Sequence, residues 1–265
     1  MRIAQLSDLH FCEAPDFLGG RVRPDVALDA ALAAINTLAP KPDLLLITGD
    51  LAESGSIAEY TALRVRFDRF ALPVLAVPGN HDDATIMRET LSPYVPAREP
   101  EHCAYVVDAH PLTLIGLDTT WPGHIPGRLD AAQLDWLERV LSEHATGPIL
   151  IGMHHPPIVT GLPGMDAHRL FDGAEAFADL LKRYGQSIAG ILCGHVHRSI
   201  HGSFAGVPTC VCPAPVHQIA FDLRNDAPLA YCLEPPQYAL HQWLPEQGIV
   251  SHCVCVNSFP GPFLF

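Results

Sequence analysis

Five short apolar runs along this chain each end in a cluster of Asp, Asn or His residues. The clusters are Asp8-Leu9-His10, Gly49-Asp50-Leu51, Gly79-Asn80-His81, His154-His155-Pro156-Pro157 and Gly194-His195-Val196-His197. Nearly continuous apolar runs of this length are typical of strands that are covered on both faces. Because the carboxyl ends of parallel strands lie at one edge of a sheet, where ligands bind, we expect the five clusters to converge.

Helical patterns alternate with these runs. Ser56-Ile57-Ala58-Glu59 is a capping box that opens a helix, and Asp130 is placed to cap another. We expect strands over 2–6, 43–48, 73–77, 105–107, 112–117, 148–153 and 187–193, and helices over 24–38, 56–70, 130–141 and 174–184. This alternation predicts an α/β chain with one or more mixed sheets.

The composition of the sequence changes beyond about Pro213, where prolines become frequent and the periodicity of apolar residues is weak. We expect a main domain over residues 1–212 and a small cap or subunit-contact segment over 213–265, within the same domain or as an appendage. A final hairpin wrapped over the core is the alternative for this segment. Its apolar end could bury itself against another subunit and contains Trp243, Phe259, Phe263, Leu264 and Phe265.

The charge balance disfavours some partners. The formal net charge is −13, from 29 acidic and 16 basic residues, so the chain lacks the basic surface that grips long nucleic acid. An acidic protein can still bind a small phosphate ester if metal ions supply local positive charge. No signal-peptide pattern precedes the first strand, and no apolar stretch reaches about 18 residues, so we expect a cytoplasmic protein without a membrane partner.

The eight cysteines are spread along the chain without a compact disulfide spacing. We expect reduced, buried thiols, as is usual for a cytosolic protein. A zinc site shared by the Cys210/Cys212 and Cys253/Cys255 pairs is the alternative.

The residue types in the five clusters are typical of a metal site. Oxygen donors mixed with neutral imidazoles suit Zn, Mn, Fe or Co. In Asp8/His10 and in His195/His197 one residue intervenes, so each pair can face a common centre. One such pair alone is more often a surface or core contact, but five clusters that each follow a strand predict a metal centre.

The motifs SDLH, GDL, GNHDD, MHHPP and GHVH, in this order, resemble those of the calcineurin-like metallophosphoesterase superfamily. Within it, the chain is similar to the branch of class III cyclic-nucleotide phosphodiesterases and glycerophosphodiesterases, and the similarity continues through Pro213–Gln218. The resemblance implies a four-layer α/β/β/α sandwich with two mixed sheets, in which residues 1–212 form the catalytic domain. It also implies a small C-terminal cap or oligomerisation segment and makes a homo-oligomer the expected state.

The resemblance further implies two divalent or transition metal ions (Fe, Mn, Zn or Co) bridged by Asp50. One ion would be held by Asp8, His10 and His197, and the other by Asn80, His154 and His195. A shared carboxylate suits the spacing of roughly 3.5–4 Å that is typical of two-metal hydrolases. Asn80 would add an oxygen ligand without adding negative charge.

Three further histidines are expected beside the metals. His81 would contact the substrate and act in catalysis, together with Asn80 and Asp50, by stabilising charge on the phosphoryl oxygens or protonating the leaving group. A supporting hydrogen bond is the alternative role for His81. We expect His155 and His217 at the substrate edge, with a supporting or structural role as the alternative for each.

The reaction that this resemblance implies is hydrolysis of small phosphodiesters, such as 3',5'-cyclic nucleotides or glycerophosphodiesters, by in-line attack of a metal-bound hydroxide. One alternative is a phosphomonoesterase that uses the same metal centre. The other is a non-catalytic metal-binding scaffold, since a fold can outlast its activity. Nuclease action on long polymers is disfavoured because the sequence shows no basic track.

Overall fold

Two β-sheets pack face to face in the computed structural model of the protein, which describes residues 1–14, 16–98 and 101–264. The strands are β1 (Arg2–Leu6), β2 (Leu44–Thr48), β3 (Val74–Val77), β4 (Tyr105–Ala109), β5 (Leu112–Gly116), β6 (Gly127–Arg128), β7 (Ile149–Gly152), β8 (Leu170–Asp172), β9 (Ile188–Cys193), β10 (Ile200–Phe204), β11 (Val207–Val211), β12 (Gln218–Ile219), β13 (Tyr231–Cys232), β14 (Gln237–Leu244) and β15 (Gly248–Cys255). Phe265, which belongs to the apolar C-terminal end considered above, lies outside the described residues.

The helices are α1 (Pro24–Asn36), α2 (Ile57–Asp68), α3 (Ala84–Thr90), α4 (Ala131–Glu143), α5 (Pro163–Asp166) and α6 (Ala174–Tyr184), with 3-10 turns at Phe17–Gly20 and Gly185–Ser187. Four of the helices, α1, α2, α4 and α6, begin within one residue of the predicted position, whereas the short helices α3 and α5 were not predicted. Both hydrogen bonds of the capping box at the start of α2 are present. Asp130 caps α4 by accepting a hydrogen bond from the backbone N–H of Gln133.

Both large sheets are mixed, as predicted. The first sheet has the order β15-β14-β1-β2-β3, in which β1, β2 and β3 are parallel and β14 is antiparallel to β1. The second has the order β10-β11-β9-β7-β5-β4, in which β11, β9, β7 and β5 are parallel. The carboxyl ends of the parallel strands therefore form one edge in each sheet.

Three apolar clusters separate four layers. Side chains of the two sheets meet in the middle, where Leu46 of β2, Leu114 of β5 and Leu150 of β7 are buried together. Residues of α1 and α2 cover the outer face of the first sheet. Those of α4 and α6 cover the outer face of the second. The predicted α/β/β/α sandwich is confirmed.

The C-terminal segment divides into two parts. Residues 213–236 contain the short β12–β13 pair, whereas β14 and β15 form a hairpin that extends the first sheet alongside β1. The hairpin is anchored in the core, because Tyr238 is 1% exposed and His241 Nε2 lies 2.8 Å from Gln5 Oε1 on β1. The division at residue 212 and a subunit-contact role for this segment stay predictions.

The cysteines lie mainly inside the protein. All eight are free, and five are buried, but Cys253 is exposed, which differs from the expectation of buried thiols. The groups of described side chains that could hold a metal ion contain no cysteine, so the zinc-site alternative has no support. Within the described part of the chain, no helix has the length and apolar character needed to cross a bilayer.

Replacing Tyr238 with Ala tests whether the hairpin is an integral part of the fold. Because Tyr238 is almost fully buried against the first sheet, its loss will lower the free energy of unfolding by about 3–5 kcal/mol. We expect Tm to fall by roughly 10 °C in calorimetry. Phe263→Ala is the control, because Phe263 is 80% exposed and its removal will leave Tm nearly unchanged. Equal, small effects in both variants would show that the hairpin is only loosely attached.

Candidate metal centre

The five polar clusters converge where the carboxyl edges of the two sheets meet. Three of them follow β1, β2 and β3 of the first sheet, and two follow β7 and β9 of the second. Gln5 joins the sheets just beneath this point, since its Nε2 atom donates to Thr48 Oγ1 and to the backbone oxygen of Cys193. The site is therefore built by two sheets, rather than by a single edge.

The backbone conformation at the strand ends directs the candidate ligands toward one centre. Five of them have a positive φ, between 43° and 73°, a region that non-glycine residues rarely adopt: Asp8, His10, Asp50, His195 and His197. Gly49 also has a positive φ, of 90°, and a Cβ there would lie 2.3 Å from His154 Nδ1. At Gly79 the constraint is space alone, because a Cβ would lie 2.2 Å from Asp50 Oδ1. The strand ends are thus shaped to deliver these side chains to one place.

The first group of candidate ligands comprises Asp8, His10, His197 and Asp50. His10 Nε2 and His197 Nε2 face each other at 3.2 Å, and His10 Nε2 is 3.7 Å from Asp50 Oδ2. Asp8 Oδ1 lies 3.4 Å from His197 Nε2. His197 donates from Nδ1 to the backbone oxygen of His217, so its Nε2 directs a lone pair at the centre of this group.

The second group is formed by Asn80, His154, His195 and, again, Asp50. His154 Nε2 lies 3.2 Å from Asn80 Oδ1, 3.2 Å from His195 Nδ1 and 3.4 Å from Asp50 Oδ2. Because His154 donates from Nδ1 to the backbone oxygen of Thr48, its Nε2 is the ring nitrogen that faces this group. Asp50 is common to both groups. All seven candidate metal ligands predicted from the sequence are therefore brought together.

This arrangement fits metal ions. Imidazole lone pairs and carboxylate oxygens that face one another at 3.2–3.7 Å repel unless a proton or a cation lies among them. His195 contributes Nδ1 to this arrangement, at 3.2 Å from His154 Nε2, and its other ring nitrogen has no hydrogen-bond partner among the described residues. Mixed oxygen and imidazole donors suit first-row transition metals. The described side chains can thus hold divalent metal ions.

The pKa values follow from burial and from the neighbouring charges. Burial acts to raise the pKa of Asp50, but the charge and hydrogen bond of His154 hold it well below its usual value. Burial raises the pKa of Asp8 to about 6. Burial lowers the pKa of His197 to about 3, and it holds the pKa of His195 well below its usual value. Both of these histidines are therefore neutral at pH 7, which is the form that binds metals.

His81 lies beside the two groups, at the edge of a cavity of about 300 Å³ that opens onto them. Its backbone N–H donates to Asp50 Oδ1 at 2.9 Å, and its Nδ1 lies 3.1 Å from the backbone oxygen of Glu53. The His81 side chain is 38% exposed, so a bound substrate can reach it.

Glu53 is a site residue that the sequence reasoning missed. Its Oε2 atom lies 2.7 Å from His10 Nδ1 and 3.5 Å from His81 Nδ1. A carboxylate that accepts from one imidazole nitrogen orients the other nitrogen toward a metal. The signal available in the sequence was the position of Glu53, three residues after Asp50 in the same loop.

The structure places the two remaining predicted histidines differently. His155 is fully buried, with Nδ1 at 2.8 Å from Thr119 Oγ1 and Nε2 at 2.9 Å from the backbone oxygen of Ile125. Both of its ring nitrogens are engaged within the protein, which favours the supporting role over contact with substrate. His217 lines the cavity, its ring centroid is 4.4 Å from that of His197, and its Nδ1 has no hydrogen-bond partner among the described residues.

Asp82 fixes two of the ligand-bearing loops relative to each other. Its carboxylate accepts from the backbone N–H groups of Leu51 and Ala52, after β2, and of Gly79, after β3. Tyr60 of α2 donates its hydroxyl proton to the same carboxylate at 3.0 Å. Asp50 and Asn80 therefore stand on loops that share one half-buried anchor.

Comparison with known proteins identifies the family of this chain and solved structures with the same fold. Residues 1–199 match the family model of the calcineurin-like phosphoesterases. A probable glycerophosphodiester phosphodiesterase of Arcobacter nitrofigilis is 35% identical over 265 residues, which are 100% of this chain and 97% of the relative. A probable cyclic nucleotide phosphodiesterase of Synechococcus is 36% identical over 221 residues, which are 82% of each chain. The structure of a dimetal phosphatase from Danio rerio has the same fold, with a TM-score of 0.68, 13% identity and coverage of 97% of this chain and 99% of that one.

Metal binding at pH 7 will release protons. Burial acts to lower the pKa of His154, but the charges of Asp50 and Asp8 and the hydrogen bond to Asp50 raise it to about 9, so the ring is protonated at pH 7 in the metal-free protein. A metal needs the neutral ring, so binding displaces that proton, and the affinity will rise as the pH rises from 7 to 9.

Calorimetric titration with Mn²⁺ in two buffers of different ionisation enthalpy measures this release. We expect about one proton or more at pH 7, and fewer at pH 9, where His154 is already half deprotonated. Binding without proton release at pH 7 would contradict a protonated His154 in the metal-free protein.

Proposed function

The chain belongs to the calcineurin-like phosphoesterase family, and from this premise we propose that it hydrolyses small phosphodiesters at a pair of metal ions. The observation that carries the proposal is that two groups of candidate ligands share one buried carboxylate, that of Asp50. The names of the relatives, which are phosphodiesterases of glycerophosphodiesters and of cyclic nucleotides, support a diester as the substrate.

Each metal ion would have its own set of ligands. Asp8, His10 and His197 would hold one ion, and Asn80, His154 and His195 the other, with Asp50 shared between them. Divalent ions at these positions would supply Lewis acidity toward a phosphate group and would lower the pKa of water. Fe, Mn, Zn and Co all suit such donors, so we propose no single metal.

Asn80 keeps the charge of the second group low. Its Oδ1 atom completes the donor set beside His154 and His195, where a carboxylate would add a negative charge. An anionic phosphodiester approaches this side of the centre from the cavity, which Asn80 lines. A neutral amide therefore leaves more of the local positive charge available to the substrate.

His81 would hold the proton that the leaving alkoxide needs. Its Nδ1 donates to the backbone oxygen of Glu53, which leaves Nε2 as the nitrogen that can serve a substrate. The Glu53 carboxylate lies 3.5 Å from Nδ1, and a ring that also carries a proton at Nε2 would donate that proton to the leaving alkoxide. The same Nε2–H can stabilise negative charge on the phosphoryl oxygens as it develops.

His217 would contact the substrate as a second histidine that lines the cavity. It reaches the cavity from the segment that follows β11 and packs against the rings of His10 and His197. A cytoplasmic location, a homo-oligomeric state and the absence of membrane or long nucleic-acid partners stay predictions from the sequence.

Turnover of two chromogenic esters tests the proposed reaction. With metal bound, the protein will hydrolyse bis(p-nitrophenyl) phosphate with a kcat/KM at least about 10-fold above that for p-nitrophenyl phosphate. A chelator will abolish both activities, and Asp50→Ala, which touches both ligand groups, will lose metal and activity together. Preference for the monoester would favour the phosphomonoesterase. Bound metal without turnover of either ester would favour the scaffold.

His81→Ala separates a catalytic role from metal binding. Turnover of the diester will fall by on the order of 10²–10⁴-fold, because the leaving group loses its proton donor. Metal content, measured by elemental analysis, will stay close to that of the unchanged protein. His110→Ala is the matched control, since His110 is exposed in the turn between β4 and β5. A parallel loss of metal and rate in His81→Ala would make His81 a ligand or a structural support.

A further inference from the structure

The cavity has a polar floor and an apolar outer wall. The floor is the candidate metal centre, whereas the wall is lined by the apolar side chains of Phe17, Leu18, Ile125, Met165, Ile219 and Leu229. These residues come from four separate parts of the chain: the 3-10 turn before α1, the loop before β6, helix α5 and the β12–β13 region. The wall is therefore formed by tertiary structure and not by one continuous apolar stretch of the sequence.

Parts of this wall are left open to solvent. Ile125 is 51% exposed and Leu229 is 57% exposed, although both line the cavity. The wall is continuous with the floor, because the Phe17 ring lies 6.1 Å from the ring of His217 and 6.3 Å from that of His10. A molecule bound at the floor would therefore cover exposed apolar surface, which is favourable.

The wall is held in place before any ligand binds. Tyr231 donates its hydroxyl proton to the backbone oxygen of Leu18, which ties two lining segments together. Arg198 donates from Nη1 to the backbone oxygen of Ile219 and pairs with Glu234. A preformed wall loses little conformational entropy when a ligand binds.

Apart from imidazole rings such as those of His81 and His168, no cationic group among the described residues lines the cavity to bind a second anionic group. Among the described residues, no Lys or Arg lines it, and the guanidinium of Arg198 is engaged by Glu234 and by Ile219. Asp50 and Glu53 contribute negative charge instead. An anionic group on the far arm of a substrate would therefore be repelled, whereas an apolar arm would gain contacts.

We propose that the apolar wall binds the second ester arm of the substrate and selects a bulky, uncharged, apolar group, such as an aromatic ring. At about 300 Å³ the cavity suits a small diester and not a long chain. This inference rests on the proposed phosphodiesterase function and narrows its substrate class.

Three diesters with the same leaving group test the selection. Phenyl, methyl and 4-carboxyphenyl p-nitrophenyl phosphates all release p-nitrophenolate, so they differ chiefly in the retained arm. After correction for uncatalysed rates, we expect kcat/KM for the phenyl diester to exceed that for the other two by about 10-fold or more. No turnover of any of the three by metal-loaded protein would overturn the proposed function itself. Equal values for all three, within about twofold, would overturn only the selection.

Binding without turnover gives an independent readout. Diphenylphosphinate and dimethylphosphinate carry the same anionic group and have no ester bond to hydrolyse. Calorimetric titration of metal-loaded protein will give a Kd about 10-fold lower for the diphenyl compound. Equal affinities would contradict the apolar wall as a binding site, whatever the turnover shows.

Two variants of Leu229 test whether the selection among diesters depends on the apolar wall. Leu229→Ala will reduce the phenyl-to-methyl ratio of kcat/KM severalfold, and Leu229→Lys will raise kcat/KM for the 4-carboxyphenyl diester relative to the phenyl diester. The matched controls are Leu223→Ala and Leu223→Lys, because Leu223 is 56% exposed in the same loop but does not line the cavity. Equal changes in the Leu223 and Leu229 variants, at equal metal content, would refute the assignment.

Discussion

The buried carboxylate of Asp50 is the group around which both ligand sets and both sheets are arranged. It is 2% exposed and lies within 3.7 Å of His10 Nε2 and within 3.4 Å of His154 Nε2. A carboxylate taken out of water needs cationic partners, and here these can be protonated imidazoles or metal ions. The loops after β1, β2, β3, β7 and β9 are therefore ordered around one negative charge, and the cavity and its wall are built outward from it.

Holding these side chains together requires unusual backbone conformations. A positive φ at a non-glycine residue costs on the order of 1 kcal/mol or more, and five candidate ligands adopt one. Part of this cost is offset by hydrogen bonds such as those that Asp82 accepts from the loops after β2 and β3. Metal ions that bind only the folded chain would stabilise it further by mass action.

Much of the site could be predicted because each candidate ligand directly follows a strand, so sequence position alone places it at a sheet edge. Glu53 could not, because its contacts with His10 and His81 form only in the folded loop. The apolar wall could not either, because Leu18 and Leu229 line one cavity only through tertiary structure. The need for a glycine at position 79 is also tertiary, because a Cβ there would lie 2.2 Å from Asp50 Oδ1. The hairpin of β14 and β15 was predicted only as an alternative, and its place beside β1 could not be predicted, because His241 of β14 finds its partner Gln5 236 positions away.

The hydrogen bond between Tyr231 and the backbone of Leu18 joins segments that are 213 residues apart, and neither segment carries a candidate ligand. The part of the cavity that would recognise the substrate is thus encoded separately from the part that would react with it. Substitutions or insertions in these two loops can reshape recognition while the reacting groups keep their positions. In a chain organised in this way, specificity for diesters can change during evolution while the candidate catalytic groups are retained.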